Sequence, residues 1–268
     1  TVSGLTPGNT YYFRVRAYAD SSGKKKYGKY SSSVKITIKN SSAAESKVIT
    51  VSPKSDTYKK KYMNTSWFTE QTRSYYVLRS YLEYFSNIGG GELHLKKGTY
   101  NLQFPLYIPS NTTVIFEDGV TIKRQDKGTL FILCSYNDVN TGKKFYGYNG
   151  VHDIKIIGRG KVVFDKEFGG NAAILMGHTK NILIEGITFA RMSDTSAHFI
   201  EMDASNNVEI RNCTFEGSTS GGKKEAINLD VPDPATGGFT WEGSGQDKTA
   251  NDTVYIHNNV FKNLTAGV

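Results

Sequence analysis

The 268-residue chain carries a formal net charge of +8, with 12% aromatic residues and only 6 prolines. That composition excludes a disordered chain, and no stretch approaches the roughly 20 apolar residues that a membrane span requires. The basic charge is concentrated at the front: residues 1–61 hold 13 Lys or Arg against 3 Asp or Glu, leaving 20 against 22 for residues 62–268. Net charge therefore gives no case for drawing polyanions to the rest of the chain. The clusters Lys24–Lys26 and Lys59–Lys61 lack the aromatic interleaving of a nucleic-acid binder and are expected to be solvated surface. Cys134 and Cys213 have no metal-ligand spacing, and Cys213 is expected in the core.

In chain order, Gly4 to Tyr11 reads as a turn that leads into a β-rich run over Tyr11–Tyr18. A second alternating run, Ser33–Ile38, follows a Lys/Gly/Ser-rich loop, and the two are expected to pair. The spacing of Leu5, Pro7 and Tyr11 resembles the corner before a late strand of a fibronectin type III sandwich. Residues 1–40 thus resemble the C-terminal part of such a domain, a spacer or adaptor, with its earlier strands expected upstream. Residues 41–56, rich in Ser, Ala and Lys, read as linker. From Thr69 to Ser86, apolar Tyr75, Leu78, Tyr81, Leu82 and Phe85 recur at helical spacing, with Thr69 or Ser66 as candidate cap and Gly89-Gly90-Gly91 as terminator. Short alternating strands follow at Glu92–Tyr100, Leu106–Ile108 and Thr113–Phe116. His94 is expected on a strand surface.

From residue 150 a repeat sets in. Segments starting at Asp153, Asn181, Asn207 and Thr253 align without gaps, each a five-residue strand ending in Gly or Asn, where a tight turn needs positive φ. Phe189, Phe215 and Phe261 recur in phase and are expected to stack, as in a solenoid. A second series, Ala173–Gly177, Phe199–Asp203 and Ala226–Asp230, sends Ile174, Met176, Ile200, Met202, Ile227 and Leu229 inward by period-2 alternation. The outward columns then read Leu175, Glu201, Asn228 and Gly177, Asp203, Asp230. Asp203, Asp230 and Glu201 are expected side by side on one exposed face. Glu185 and Arg211 share another outward column and are expected to pair. His198 should face inward or lie at the strand start.

The expected fold is all-β: a right-handed parallel β-helix over residues 57–268, with an N-terminal capping helix and a chain that stops in mid-coil. Stacked carboxylates repel, and relieving that repulsion with a proton or cation is how such patches acquire function. The pair could act as acid and base or nucleophile in glycoside hydrolysis, with Asp203, Asp230 and Glu201 as candidates. In a calcium-dependent lyase the same oxygens would hold Ca2+. Trp241, Asn228, Glu225 and Asp233 are candidate substrate-binding residues. Trp241 lies in the insertion Val231–Asn251, where its ring could stack on a sugar, and the excursion Tyr136–Tyr148 could line the same groove.

From about Gly89 onward the chain resembles the pectin-lyase-like superfamily, and Gly147–Gly160 is similar to the early coil of polygalacturonase-type glycosidases. The resemblance implies a secreted bacterial protein, extracellular or attached to the cell wall, monomeric, and acting on a polysaccharide. The Asp-Asp and Gly-His-Gly motifs of the polygalacturonases are not found. A calcium-dependent polysaccharide lyase and a non-catalytic glycan-binding adhesin are therefore the alternatives.

Overall fold

The computed structural model describes residues 9–21, 23–37, 47–124, 126, 128–168, 172–192, 197–217, 225–235 and 243–268. The chain forms two compact units, Thr1–Ser46 and Lys47–Val268. In the first, β1 (Thr10–Phe13) pairs antiparallel with β4 (Val34–Thr37), as the two alternating runs require. Between them, β2 (Tyr18–Ser21) and β3 (Lys24–Tyr27) form a second antiparallel pair inside the segment expected to be a loop. Tyr12, Val15, Tyr18, Tyr27, Val34 and Ile36 are all exposed, so this ribbon has no core of its own among the described residues.

The second unit begins earlier than its sequence suggests. β5 (Val48–Val51), within the expected linker, pairs in parallel with the first coil strand and buries Val51. Four residues with two inward positions, Ile49 and Val51, are too short to give a readable period. α1 (Arg73–Ile88) starts after Thr72, whose side chain makes no capping bond to the helix, so neither Thr69 nor Ser66 is the cap. It ends at Gly89 in the left-handed conformation, φ 83°. A Cβ on Gly91 would run into the Phe85 ring, which explains the third glycine. Leu78, Leu82 and Phe85 join the same core as Leu93, Leu95, Leu106, Val114 and Phe116.

The coils then succeed one another in a fixed order of three strands. The first holds β6 (Gly91–Leu95), β7 (Gly98–Leu102) and β8 (Leu106–Ile108). The second holds β9 (Thr112–Phe116), β10 (Val120–Arg124) and β11 (Phe131–Leu133), followed by the short helix α2 (Tyr136–Thr141). The third holds β12 (His152–Gly158), β13 (Val163–Phe168) and β14 (Ile174–Gly177). The fourth holds β15 (Lys180–Glu185), β16 (Thr188–Met192) and β17 (Ile200–Asp203). The fifth holds β18 (Asn206–Arg211), β19 (Thr214–Gly217) and β20 (Ile227–Asp230), and β21 (Asp252–His257) and β22 (Val260–Lys262) follow. From β6 to β19 each strand pairs in parallel with the strand three places on, and with β5 added beside β6 this gives sheets of seven, six and five strands. This cyclic order is a parallel β-helix.

Its interior is a set of side-chain ladders. Phe164, Phe189, Phe215 and Phe261 stand in register, with ring centroids 5.3, 4.9 and 5.2 Å apart in succession. On the first sheet, Asp153, Asn181, Asn207 and Thr253 all adopt positive φ, between 54° and 58°. Asn181 Nδ2 donates to Asp153 Oδ1 at 2.8 Å, and Asn207 Nδ2 donates to Asn181 Oδ1 at 2.9 Å. Short amide side chains tolerate the left-handed backbone and bond to one another from coil to coil. At the strand ends, Gly186, Asn212 and Asn258 have the expected positive φ, whereas in this coil it is Gly160, not Gly158, that does. Gly158 is instead needed for space, because a Cβ there would strike the Gly186 carbonyl.

Candidate functional site

The third sheet carries the sequence-predicted carboxylates, and its register is as expected: Leu175, Glu201 and Asn228 align, as do Gly177, Asp203 and Asp230. The outward column extends back through Ile132 to Tyr107. Its chemistry therefore changes along the helix. Tyr107, Ile132 and Leu175 pack with Cys134, Val139 and Phe145, so the excursion after β11 covers the apolar part. Glu201 and Asn228 lie beyond that cover.

The expectation of one exposed carboxylate face fails at Asp203, which is fully buried. The cause is the loop that leaves β20. Asn251 donates to the carbonyls of Met202 and Asp230, both at 3.0 Å, and its Oδ1 accepts from the Ser205 N–H at 2.9 Å. Phe145 and Ser244 form a parallel bridge that joins this loop to the earlier excursion. Beneath them the buried His178 donates from Nδ1 to the Gly147 carbonyl at 2.8 Å, and its Nε2 meets Ser244 Oγ at 2.8 Å. Asp247 accepts from the Gly147 N–H at 2.6 Å. Burial would raise the Asp247 carboxyl, but the Gly147 and Thr249 donors hold it below the usual carboxylate range. The excursion and the loop are thus sewn together over the Asp203 end of the strand.

Asp230 is half-buried, and its Oδ1 accepts from the Val231 N–H at 2.7 Å. Leu229, expected inward, is 37% exposed at the open edge of the sheet. Asp233, a candidate substrate contact, is buried within its own loop. Oδ1 accepts from the Ala235 N–H at 2.9 Å and Oδ2 pairs with Lys248 Nζ at 3.0 Å. These two donors hold its carboxyl below the usual range. Trp241 lies outside the described residues.

At the opposite end of β17 a different group converges. His198 is 7% exposed and stands between two carboxylates. Its Nε2 lies 3.6 Å from Glu201 Oε2 and its Nδ1 lies 3.7 Å from Glu225 Oε1. Nδ1 also donates to the Glu225 carbonyl at 3.3 Å. Glu201 Oε1 in turn accepts from Asn228 Nδ2 at 3.0 Å. The Glu201 and Glu225 side chains retain 15% and 27% of their exposure, so a ligand can reach both. A signal for this group was present in the sequence. His198 and Glu225 each stand two residues before an inward isoleucine, Ile200 and Ile227, which pair across the coils. Strict alternation would turn both inward, but the turn into each strand breaks the alternation.

Other charged residues pair from coil to coil. Arg211 bridges Glu185 at 3.0 Å, as their shared column required, and also Glu209 of its own strand at 2.8 Å, while His257 Nε2 meets Glu209 at 3.0 Å. His94 lies between Glu92, at 2.5 Å, and Glu117, at 3.0 Å. Among the described residues no group of His, Cys, Asp and Glu has the arrangement of a metal site, and no helix is long and apolar enough to cross a membrane.

No family model and no curated protein matches this chain. Among solved structures it is similar to a Parabacteroides merdae protein described as a "putative glycosyl hydrolase", at 14% identity and a TM-score of 0.38, over 71% of this chain and 89% of that one. At that distance the likeness carries no argument, and the chemistry rests on the residues themselves.

Proposed function

We propose that the protein is a carbohydrate-active enzyme, a glycoside hydrolase that acts on a polysaccharide through Glu201 and Glu225. The observation that carries this reading is the placement of two partly accessible carboxylates on the two nitrogens of one imidazole, beside an amide donor, on a solenoid face. Glycoside hydrolysis needs one carboxyl to protonate the leaving oxygen and a second to activate water or attack the sugar. Asp230 remains a candidate at the far end of the same face. Asp203, fully buried, is not among the groups that would meet the substrate. On the sequence resemblance, we also read the coil as right-handed, α1 as its cap, residues 1–40 as the end of a fibronectin type III module, and the protein as a secreted bacterial one.

The test is reducing-sugar release from a panel of neutral and acidic polysaccharides by the whole chain. Glu201→Gln and Glu225→Gln are each expected to lower kcat by about 10²–10⁴-fold. Full activity in both variants, or no product from any glycan, defeats the hydrolase reading. Product with new ultraviolet absorbance that disappears on adding a chelator selects a calcium-dependent lyase instead. Binding without turnover selects a glycan-binding surface protein.

A further inference from the structure

The first unit carries a strong basic charge that the hydrolase reading leaves unused. Residues 9–37 hold Arg14, Arg16, Lys24–Lys26, Lys29 and Lys35 against the single acidic residue Asp20, and all of these cations are exposed. Among the described residues none of them forms an ion pair. Like charges gathered in this way repel, and an anionic partner relieves the repulsion.

The fold gives the cations an order that the sequence does not show. Pairing of β1 with β4 sets Tyr11 opposite Ile36 and Phe13 opposite Val34, so one side of the ribbon is apolar. Tyr12 lies opposite Lys35 on the other side. Arg14 and Arg16 continue that polar side, and both guanidinium groups lie over the Tyr30 ring, 4.8 and 4.7 Å from its centre. Beyond β1 the two segments stay joined, because the Ser31 N–H donates to the Val15 carbonyl at 2.7 Å and the Gly28 N–H donates to the Ala17 carbonyl at 2.9 Å. Arg16 also lies 3.7 Å from the centre of the Tyr27 ring. Tyr27 in turn faces Tyr18 at 6.1 Å, and Lys25 Nζ lies 4.7 Å from the Tyr18 ring. Arg14, Tyr30, Arg16, Tyr27, Tyr18 and Lys25 thus form one continuous exposed series across both antiparallel pairs.

A guanidinium held over a ring is fixed in place while its N–H donors still reach outward, ready for the two oxygens of a carboxylate or sulfate. Single-stranded nucleic acid is gripped by open ring faces on which bases stack. Here Tyr30 and Tyr27 give their faces to arginine, so the charges make the contact and the rings support them. We propose that this face of the first unit binds an acidic polysaccharide through its carboxylate or sulfate groups, holding the protein on a charged glycan whether or not that glycan is the one hydrolysed. The choice of a glycan over another polyanion rests on the carbohydrate-active reading, whereas the charge complementarity does not.

The test is binding of the whole chain to immobilised alginate and chondroitin sulfate, with amylose as the neutral control. Both acidic glycans are expected to bind, with Kd rising about tenfold or more between roughly 50 and 200 mM salt, and amylose is not. Arg14→Gln combined with Arg16→Gln is expected to weaken binding by about tenfold or more. Lys24→Gln, Lys26→Gln and Lys29→Gln together remove charge without touching a ring, and are expected to weaken it severalfold even if the arginine variant disturbs the ribbon. Unchanged affinity in both sets, amylose bound as tightly as alginate, or no binding to either acidic glycan at low salt overturns the proposal. Equal or tighter binding to duplex DNA or to phosphatidylserine vesicles overturns the assignment to a glycan. Binding needs no turnover, so the hydrolase reading fails separately, in the product assay with Glu201→Gln and Glu225→Gln.

Discussion

The phenylalanine ladder allows a quantitative test of how the solenoid is held. Phe189 is fully buried, with Phe164 5.3 Å away on one side, Phe215 4.9 Å away on the other, and Phe199 5.8 Å away across the interior. Its removal leaves a ring-sized void that the neighbouring coils cannot close, because each is fixed to the next by a parallel ladder of backbone bonds. Phe189→Ala is therefore expected to cost about 4 kcal/mol, within the usual 3–5 kcal/mol for a core phenylalanine. Phe261 has one ladder partner, Phe215, and is 37% exposed. Phe261→Ala should cost roughly 1–2 kcal/mol, from the smaller area it removes from water. For a unit of this size the first change should lower Tm by roughly 8–15 °C and the second by a few degrees. Urea unfolding followed by far-ultraviolet circular dichroism, with the slope unchanged, gives both values. Equal costs at the two positions would refute the idea that the ladder is stabilised coil by coil.

Other outcomes follow from the side-chain environments. Thr253 is β-branched at φ 56° in a column otherwise made of Asp and Asn, so Thr253→Asn should extend the amide ladder to Asn207 and stabilise the protein by about 1 kcal/mol, measured by urea unfolding. Burial would lower the pKa of His94, but its bonds to Glu117 and Glu92 outweigh burial and hold it above the usual histidine range. A raised folded-state pKa gives stability that is complete below about 6.5 and is lost as pH rises through the folded value. Stability should therefore fall from pH 6 towards pH 9, and His94→Gln should flatten that slope. Burial pushes the Cys134 thiol up to about 12 and the Cys213 thiol up to about 11. Iodoacetamide at pH 8 should leave both unlabelled in the native protein and label both in denaturant. Arg211→Ala should cost under about 1 kcal/mol despite its two carboxylate partners, because the pairs lie partly in solvent.

The strand phase of the third sheet could be read from sequence because two inward apolar positions per strand, such as Ile200 and Met202, set the register unambiguously. The same logic missed Phe164, which stands further from its preceding strand because the turn through Arg159–Lys161 is longer. The pair β2 and β3 had no readable period, since Lys24–Lys26 do not alternate and nothing is buried against them. Burial of Asp203 was not legible, because its cover comes from residues 243–251, placed by hydrogen bonds to Phe145, Gly147 and Met202, far away in the chain. Glu225 was legible as a candidate substrate contact and His198 only as inward or at the strand start, because the turn into each strand breaks the alternation that phases the rest.

The outward column from Tyr107 to Asn228 carries one residue per coil, and the Glu201 and Asn228 positions lie 27 residues apart in the chain. A substitution at one rung leaves the inward residues on either side of it untouched. Selection can thus retune a ligand surface one rung at a time, much as a single bead is exchanged on a string, at no expense to the thread that holds the beads.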